Sequence, residues 1–250
     1  MKPSEYVPRL TKPEKGNKYY NTKSNGGYST AIVGKPTDKD CNVLSNCVGW
    51  AVSRYHEVAK DPTFSLVDPV NAENIYQSAI NHGRQVSQTP SLGAIMVWQK
   101  GATLSGSDGA GHVAIVEKIY SATQVLTSES GYNCSNPFWT QVRNKGNDGN
   151  WGGGTGYKFL GFVKNPAVED EPKCPYKAPS RVLKFGMNGE DVMWMQWQLK
   201  ERGYICGCER NKVDGDFGLF TLEALLGFQF QNKLGVDGIC GPATQKALGK

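Results

Sequence analysis

Histidine is scarce in this chain, because His56, His82 and His112 are the only three among 250 residues. The sequence also lacks any run of about 18 consecutive apolar residues, so we expect no transmembrane helix. No block of five or more basic residues accompanies the net charge of +5, and nucleic acid is therefore not indicated as a partner. Any site that needs an imidazole has three candidates, and the mild positive charge favours an anionic polymer.

The N-terminal stretch MKPSEYVPRL has no apolar core of the kind found in secretory signals. We therefore expect the chain to stay in the cytosol where it is made. Its seven cysteines are an odd number, and a cytosolic location argues against a disulfide framework. Cys206 and Cys208 are too close in sequence for the usual zinc spacing, and no histidine follows His112, so we expect no zinc site in the second half.

Composition and patterning divide the chain into two domains. Helical periodicity over residues 46–57 and 70–82 is followed by short runs rich in β-branched and aromatic residues, namely Ala94–Trp98, His112–Ile119, Gln124–Ser128 and Tyr157–Val163. Helices that precede strands predict an α+β domain with an antiparallel sheet over residues 1–165, entered through an irregular arm at residues 1–30. Four prolines and an acidic cluster predict a linker at residues 166–180.

Residues 181–250 contain an internal repeat. The pattern VDGxxGxxTxxAL begins at Val213 and again at Val236, a period of 23 residues. Each copy predicts an Asp-Gly turn followed by the start of a helix. Together with the amphipathic run Glu190–Arg202, the two copies predict a small all-α domain of three helices, whose glycines shape turns and carry no chemistry by themselves.

Cys47 is the best-placed candidate nucleophile. It follows Asn46 at the start of the first predicted helix, where unpaired backbone amides lower a thiol pKa and hold an oxyanion. The alternative is a small core residue on an amphipathic helix. A cysteine nucleophile needs a base, and His56, nine residues further on, would face the opposite side of the helix.

Of the remaining histidines, His82 lies at a predicted helix end, where it would act as a cap. His112 begins a strand after a flexible Gly/Ser stretch, where it could face a groove or simply lie in water. Glu129 ends the next strand and would return near His112 if the two strands form a hairpin, which makes it the first candidate to orient the imidazole. Ser128 and Asn133 are secondary candidates for that role.

These residues resemble the CHAP domain family, the cysteine- and histidine-dependent amidohydrolases/peptidases. The similarity covers residues 20–166 and lies in NCVGWAVSRY around Cys47, PSLGAIMVW at 90–98, GHVAIVEKI, TSESGYN, and YKFLGFVKNP at 157–166. It implies a papain-like fold with N-terminal helices packed on an antiparallel sheet. It also implies Cys47 as nucleophile, His112 as base and Glu129 as the residue that orients it.

The chain departs from this family at two places. An Asn often follows the acidic residue by two positions, and Gly131 stands there instead, so Asn133 becomes a possible substitute. Some members bind calcium in a loop before the cysteine, and Asp38, Asp40 and Asn42 are similar to that loop. Gly49 stands where those members place an acidic residue, two positions after the cysteine, and no cofactor is expected to be required. The aromatic residues Trp98, Trp139 and Trp151 either line a substrate groove or are ordinary core residues.

Residues 183–248 resemble the three-helix peptidoglycan-binding domain, through their VDGxxG turns and GPATQKAL. The combination is similar to a bacteriophage or prophage endolysin. The resemblance implies a monomeric peptidoglycan hydrolase that waits in the host bacterial cytoplasm until a holin releases it to the cell wall. The bond cut would be that of an N-acetylmuramoyl-L-alanine amidase or of a stem or cross-bridge endopeptidase. A catalytically inactive wall-binding protein and a general intracellular cysteine protease remain alternatives.

Overall fold

The computed structural model describes residues 1–14, 17–20, 46–104, 108–132, 136–170, 173–204 and 212–249. They belong to two compact units, Met1–Glu171 and Pro172–Lys250, and the division falls within the stretch that the sequence predicts as a linker. The beginning of that stretch packs on the first unit, since the backbone amide of Glu169 donates to the carbonyl of Met1 at 3.0 Å. No helix in the described ranges is both long enough and apolar enough to span a bilayer.

In its described residues, the first unit combines two α-helices with a six-stranded sheet. The helices are α1 (Cys47–Ala59) and α2 (Ile75–Asn81), and the strands are β1 (Val86–Ser87), β2 (Ile95–Lys100), β3 (His112–Ser121), β4 (Gln124–Glu129), β5 (Trp139–Asn144) and β6 (Tyr157–Val163). The strand order is β1-β6-β2-β3-β4-β5, and every neighbouring pair is antiparallel. The predicted α+β class is confirmed.

Two strands and one helix start differ from the sequence prediction. Strands β1 and β5 were not predicted, because β1 has only two residues and the residues of β5, WTQVRN, do not alternate between apolar and polar types. The helix predicted from Val70 begins later, since Asn71 has an extended ψ of 140° and a short 3-10 turn at Ala72–Asn74 precedes α2. These differences matter because β5 and the 3-10 turn both border the candidate site.

Helix α1 is held against the middle of the sheet on nearly all sides. Its residues from Cys47 to His56 are buried, as expected for a helix enclosed by other elements. Val48, Ala51, Val52 and Tyr55 share one hydrophobic core with β2 and β3, which is the helical face that the sequence pattern predicts. Packing on this face fixes the position of the N-terminal end of α1, and therefore of Cys47.

A buried ionic network anchors the N-terminal arm and α1 to the sheet. Arg54 on α1 donates from Nε to Glu117 Oε1 on β3 at 3.0 Å, and Tyr6 Oη donates to Glu117 Oε2 at 2.9 Å. Arg9 Nε donates to Glu57 Oε2 at 2.9 Å. Buried charges are tolerated when each is paired and hydrogen-bonded. The described part of the arm thus belongs to the first unit, and most of its backbone is irregular, as predicted.

The described residues of the second unit form three helices, as the sequence predicts. They are α3 (Glu190–Glu201), α4 (Leu219–Gln231) and α5 (Pro242–Leu248). Their buried apolar side chains form one core that includes Trp194, Met195, Leu225 and Phe228. The all-α class predicted for this part of the chain is confirmed.

The 23-residue repeat is explained by two buried glutamines. Gln196 accepts from Gly215 N at 2.8 Å and donates to Asp214 Oδ1 at 2.6 Å. Gln229 accepts from Gly238 N at 3.0 Å and donates to Asp237 Oδ1 at 2.8 Å. Each Nε2 also donates to the threonine of its repeat. The Asp-Gly turns therefore recur because each supplies the donor and acceptors that satisfy one buried amide side chain.

Replacement of Gln229 by Met should destabilise the second unit. The variant keeps the side-chain volume but leaves the Gly238 amide and the Ile239 carbonyl without their partner, which costs about 2–4 kcal/mol. Native-state hydrogen exchange on the whole chain should show this loss in α3–α5 and not in the sheet. Gln231→Met, at an exposed position of the same helix, is the control and should change stability by less than about 0.5 kcal/mol. Equal protection of the α3–α5 amides from exchange in Gln229→Met and Gln231→Met would contradict this role of Gln229.

Candidate active site

Cys47 is the first residue of α1 and is 9% exposed. Its N-cap, Asn46, has an extended backbone with φ of −152°, and its Oδ1 accepts from the Val48 amide at 3.2 Å and from the Cys47 thiol at 3.3 Å. The other amides of a first helical turn have no acceptor within the helix and point partial positive charge outwards. Cys47 therefore lies beside backbone amides that can stabilise a neighbouring oxyanion.

A close approach of backbone at Gly111 places His112 at the start of β3. Gly111 has φ of +74°, and a Cβ there would lie 2.2 Å from the Trp98 carbonyl oxygen and 2.9 Å from Glu73 Cβ. Only glycine fits this conformation and this space. His112 then pairs with Trp98 of β2 in the sheet register.

His112 lies between Cys47 and Glu129. Its Nε2 is 2.7 Å from Glu129 Oε2, which leaves Nδ1 for the hydrogen bond between the imidazole and Cys47. Burial lowers the pKa of His112, but the hydrogen bonds to Cys47 and Glu129 and their negative charges outweigh burial and raise it to about 9. The structure thus brings together the three residues that the sequence singled out, and it favours a protonated imidazole beside the sulfur.

Glu129 is fully buried and surrounded by donors. Besides His112, its oxygens accept from Thr127 Oγ1 at 2.5 Å, from Gln141 Nε2 at 2.8 Å, and from Arg143 Nε and Nη2 at 2.7 Å each. Burial alone would raise the pKa of Glu129, yet the hydrogen bonds and charges of His112 and Arg143 hold it well below its ordinary range. The carboxylate is therefore ionised and held in one orientation.

Arg143 is a site residue that the sequence reasoning missed. It lies on β5, and its guanidinium forms a two-pronged pair with Glu129 while stacking 4.5 Å from the Trp98 ring centroid. Bidentate Arg–carboxylate pairs fix geometry as well as charge. In the register of β4 and β5, Arg143 pairs with Val125 and Trp139 with Glu129. Arg143 and Glu129 therefore project from the same face of the sheet, and the long arginine side chain spans the four positions between them.

The three candidate groove tryptophans have different positions. Trp98 and Trp151 are fully buried in a core on the far side of the sheet from α1, together with Met96 and Phe162. For these two, the structure favours the reading as core aromatics. Trp139 is half-buried, and its ring stacks on His112 with an interplanar angle of 10° and 6.4 Å between centroids.

The other two histidines have structural roles. His56 is buried, with Nδ1 2.8 Å from the Val52 carbonyl, while its Nε2 accepts from the Leu66 amide. Burial lowers its pKa, so it is a neutral core residue. His82 is the C-cap of α2, and its Nδ1 lies 3.0 Å from the Ser78 carbonyl, as the capping prediction requires.

The secondary candidates do not join the site in the described part of the chain. Ser128 Oγ donates to Glu117 Oε1 at 2.7 Å and accepts from Trp50 Nε1 at 3.0 Å, so it belongs to the network that anchors the arm. Asn133 lies outside the described residues, and so does the suggested calcium loop with Asp38, Asp40 and Asn42.

A cleft of about 320 Å³ opens beside the sulfur. Its wall includes Asn46, Cys47, Val48, Asn71, Ala72, Lys100, Ala110, Gly111, Tyr132 and Tyr157. Clefts of this size accommodate a small ligand or a short peptide segment. The cleft is lined by Cys47 and by Gly111, the residue before His112, so a ligand bound in it would lie next to the candidate nucleophile.

Two segments of the chain match known family models. Residues 37–131 match the CHAP domain, and this match includes Cys47, His112 and Glu129 but ends before Arg143. Residues 188–248 match the model described as a peptidoglycan binding domain, which covers the three helices of the second unit.

Individual proteins match over shorter stretches. The chain is 40% identical over 92 residues to N-acetylmuramoyl-L-alanine amidase CwlM of Mycobacterium tuberculosis, covering 35% of this chain and 22% of that protein. It is 42% identical over 71 residues to a spore cortex-lytic enzyme of Bacillus cereus, covering 28% and 26%. A solved N-acetylmuramoyl-L-alanine amidase from Staphylococcus aureus matches 48% of this chain and 30% of its own, at 23% identity and a TM-score of 0.35. The chain thus spans about a quarter of the length of the curated relatives it matches.

Proposed function

We propose that this chain, in which a CHAP domain precedes a helical peptidoglycan-binding domain, hydrolyses an amide bond of bacterial peptidoglycan with Cys47 as nucleophile. The observation that carries the proposal is the contact chain from Cys47 through His112 to Glu129, at the edge of an open cleft. A thiol, an imidazole and a carboxylate in this order form the arrangement used for acyl transfer.

The reaction begins with attack of the Cys47 thiolate on the amide carbonyl carbon. The resulting oxyanion is stabilised by backbone amides at the start of α1. Protonated His112 gives its proton to the leaving nitrogen as the C–N bond breaks, which releases the amine and leaves a thioester on Cys47. Neutral His112 then takes one proton from water as the water oxygen attacks the thioester. The C–S bond breaks to give the carboxylic acid, which loses its proton to solvent, and restores the Cys47 thiolate beside protonated His112.

Glu129 acts through His112 in this scheme. Its carboxylate keeps Nε2 protonated and the ring turned so that Nδ1 faces the sulfur. Gly131 stands where members of the family often have an Asn. In this chain, the side chains of Arg143, Gln141 and Thr127 hold the Glu129 carboxylate by hydrogen bonds instead. The departure from the family pattern at Gly131 therefore does not leave Glu129 without support, which weakens the alternative of an inactive wall-binding protein.

The test is digestion of purified sacculi by the whole chain, followed by mass spectrometry of the released fragments. We expect new amino groups without new reducing sugar ends. A new N-terminal L-alanine would indicate an amidase, and any other new amino terminus would indicate an endopeptidase. Binding to sacculi without released amines would support the inactive wall-binding alternative, and digestion of casein would support a general protease.

The biological setting is a second part of the proposal. The pairing of a catalytic and a wall-binding domain suits an endolysin, which would wait in the host cytoplasm for a holin, and this assignment stays a prediction. So does the expectation that the enzyme needs no metal. Wall digestion in the presence of EDTA, and then of added calcium, would decide whether a metal is needed. A calcium-dependent enzyme would lose its activity with EDTA and regain it with calcium.

A further inference from the structure

The cleft beside Cys47 has one charged side chain among its described lining residues, and that is Lys100. Lys100 is the last residue of β2 and pairs with Tyr157 of β6 across the sheet. Asn, Ala, Gly, Val and Tyr make up the rest of the wall apart from Cys47 itself. A ligand in the cleft therefore meets Lys100 as the one charged side chain of the described lining apart from Cys47, which His112 contacts. The buried carboxylate of Glu73 lies behind the strand end and accepts from the backbone amide of Lys100 at 3.3 Å.

The lysine side chain is held in place along its length. Its ammonium lies 5.6 Å from the centroid of the Tyr157 ring, within the range of a cation–π contact. Its methylene stem lies against Gly109, where a Cβ would be only 2.5 Å from Lys100 Cδ. A side chain restricted in this way loses less conformational entropy when it binds a ligand than a free surface lysine does.

The ammonium of Lys100 has no carboxylate partner in the part of the chain that the structure describes. None of the described ion pairs includes it. The nearby carboxylate of Asp108 accepts instead from the backbone amides of Ala102 and Thr103, at 2.7 and 3.1 Å. The charge is thus available to a ligand.

We propose that Lys100 forms a subsite for a carboxylate of the peptidoglycan stem peptide, and so selects stem peptides whose carboxyl group is free over those in which it is amidated. This inference rests on the proposed function, because the subsite is useful only if Cys47 cuts an amide next to it. The exposed Tyr132, 73% accessible at the mouth of the cleft, leaves the subsite open to a polymeric substrate. A stem peptide offers such a carboxylate on its isoglutamate residue or on a diaminopimelate residue.

The test uses four synthetic muropeptides in two matched pairs. One pair differs only in whether the isoglutamate carboxyl is free or a primary amide, and the other differs in the same way at diaminopimelate. The readout is kcat/KM from the amine released by the wild-type chain, Lys100→Met and Lys100→Arg. The control is Lys158→Met, which removes an equal charge from an exposed position of β6 that does not line the cleft.

In one of the two pairs, the wild-type chain should prefer the free carboxylate by about fivefold, the contribution expected of a partly exposed ion pair. Lys100→Met should abolish this preference through KM, whereas Lys100→Arg and Lys158→Met should retain it. A preference that survives in Lys100→Met, or equal wild-type rates within both pairs, would overturn the subsite alone. A wild-type chain that releases amines from purified sacculi but cleaves none of the four peptides would also overturn the subsite alone, whereas a chain that cleaves neither substrate would overturn the proposed function itself.

Discussion

Cys47→Ala should lower the rate of amide cleavage in purified sacculi by about a thousandfold or more, since removal of a nucleophile removes the covalent route entirely. Cys47→Ser should be almost as inactive, because His112 is placed to hold a proton beside a thiolate and a serine hydroxyl does not ionise in its place. The measurement is the release of amino groups per enzyme molecule. Both substitutions are small, so the fold of α1 should be retained.

Cys174→Ala provides the matched control for the nucleophile. Cys174 is a free, half-buried cysteine of the second unit whose thiol donates to the Tyr176 carbonyl, and burial raises its pKa. Its replacement should leave the cleavage rate unchanged. If Cys47→Ala retained more than about a tenth of the wild-type rate, Cys47 could not be the nucleophile.

The second large effect is expected from Glu129→Gln, which should lower kcat/KM at neutral pH by about a hundredfold or more. The variant removes the negative charge that faces His112 and leaves an amide that can turn its donor group towards the ring. In the wild-type chain, the raised pKa of His112, about 9, means that the imidazolium persists up to that pH. Activity should therefore fall as the pH rises through about 9, when the leaving group loses its proton donor.

Loss of the Glu129 carboxylate should move the fall in activity at high pH, the alkaline limb of the pH profile, to lower pH. The carboxylate raises the pKa of His112, so its removal lowers that pKa, and the imidazolium is lost at least about one pH unit earlier. The pH dependence of kcat/KM measures the shift directly. Asp68→Asn is the control, because Asp68 and His82 form the other His–carboxylate pair, at 3.4 Å and largely exposed. That variant should leave the limb where it is.

A folding defect can be separated from a catalytic one by a double variant. Glu129→Gln alone leaves the buried guanidinium of Arg143 without its counter-charge, which destabilises proteins by about 3–5 kcal/mol. Glu129→Gln combined with Arg143→Met removes both charges. This double variant should regain stability, but its activity should still fall at the lower pH expected for Glu129→Gln alone. If the double variant regained the wild-type pH profile, Glu129 would have no part in setting the charge of His112.

Much of the site was visible in local sequence. Cys47 could be recognised because Asn46 is a good N-cap and the following apolar residues repeat with helical spacing. His112 emerged by elimination among three histidines, and Glu129 emerged because adjacent strands return to the same end of a hairpin. The Asp-Gly repeat likewise indicated the helical second unit from turn chemistry alone.

What local sequence could not reveal depends on contacts between elements far apart in the chain. Arg143 lies 14 residues beyond Glu129, on a strand without a clear alternating pattern, and only the register of β4 and β5 brings the two together. The glutamines behind the repeat look like ordinary helical polar residues until the turns close over them.

By itself, the sequence determined the class of each domain, the helix that carries Cys47 and the imidazole and carboxylate available to it, because capping, periodicity and turn preferences act over a few neighbouring residues. The tertiary structure alone decided that the rings of buried Trp98 and half-buried Trp139 both lie against His112, that Arg143 holds Glu129, and that Lys100 borders the cleft. Strand register and helix packing set those contacts, since a shift of one residue turns every side chain of a strand to the opposite face.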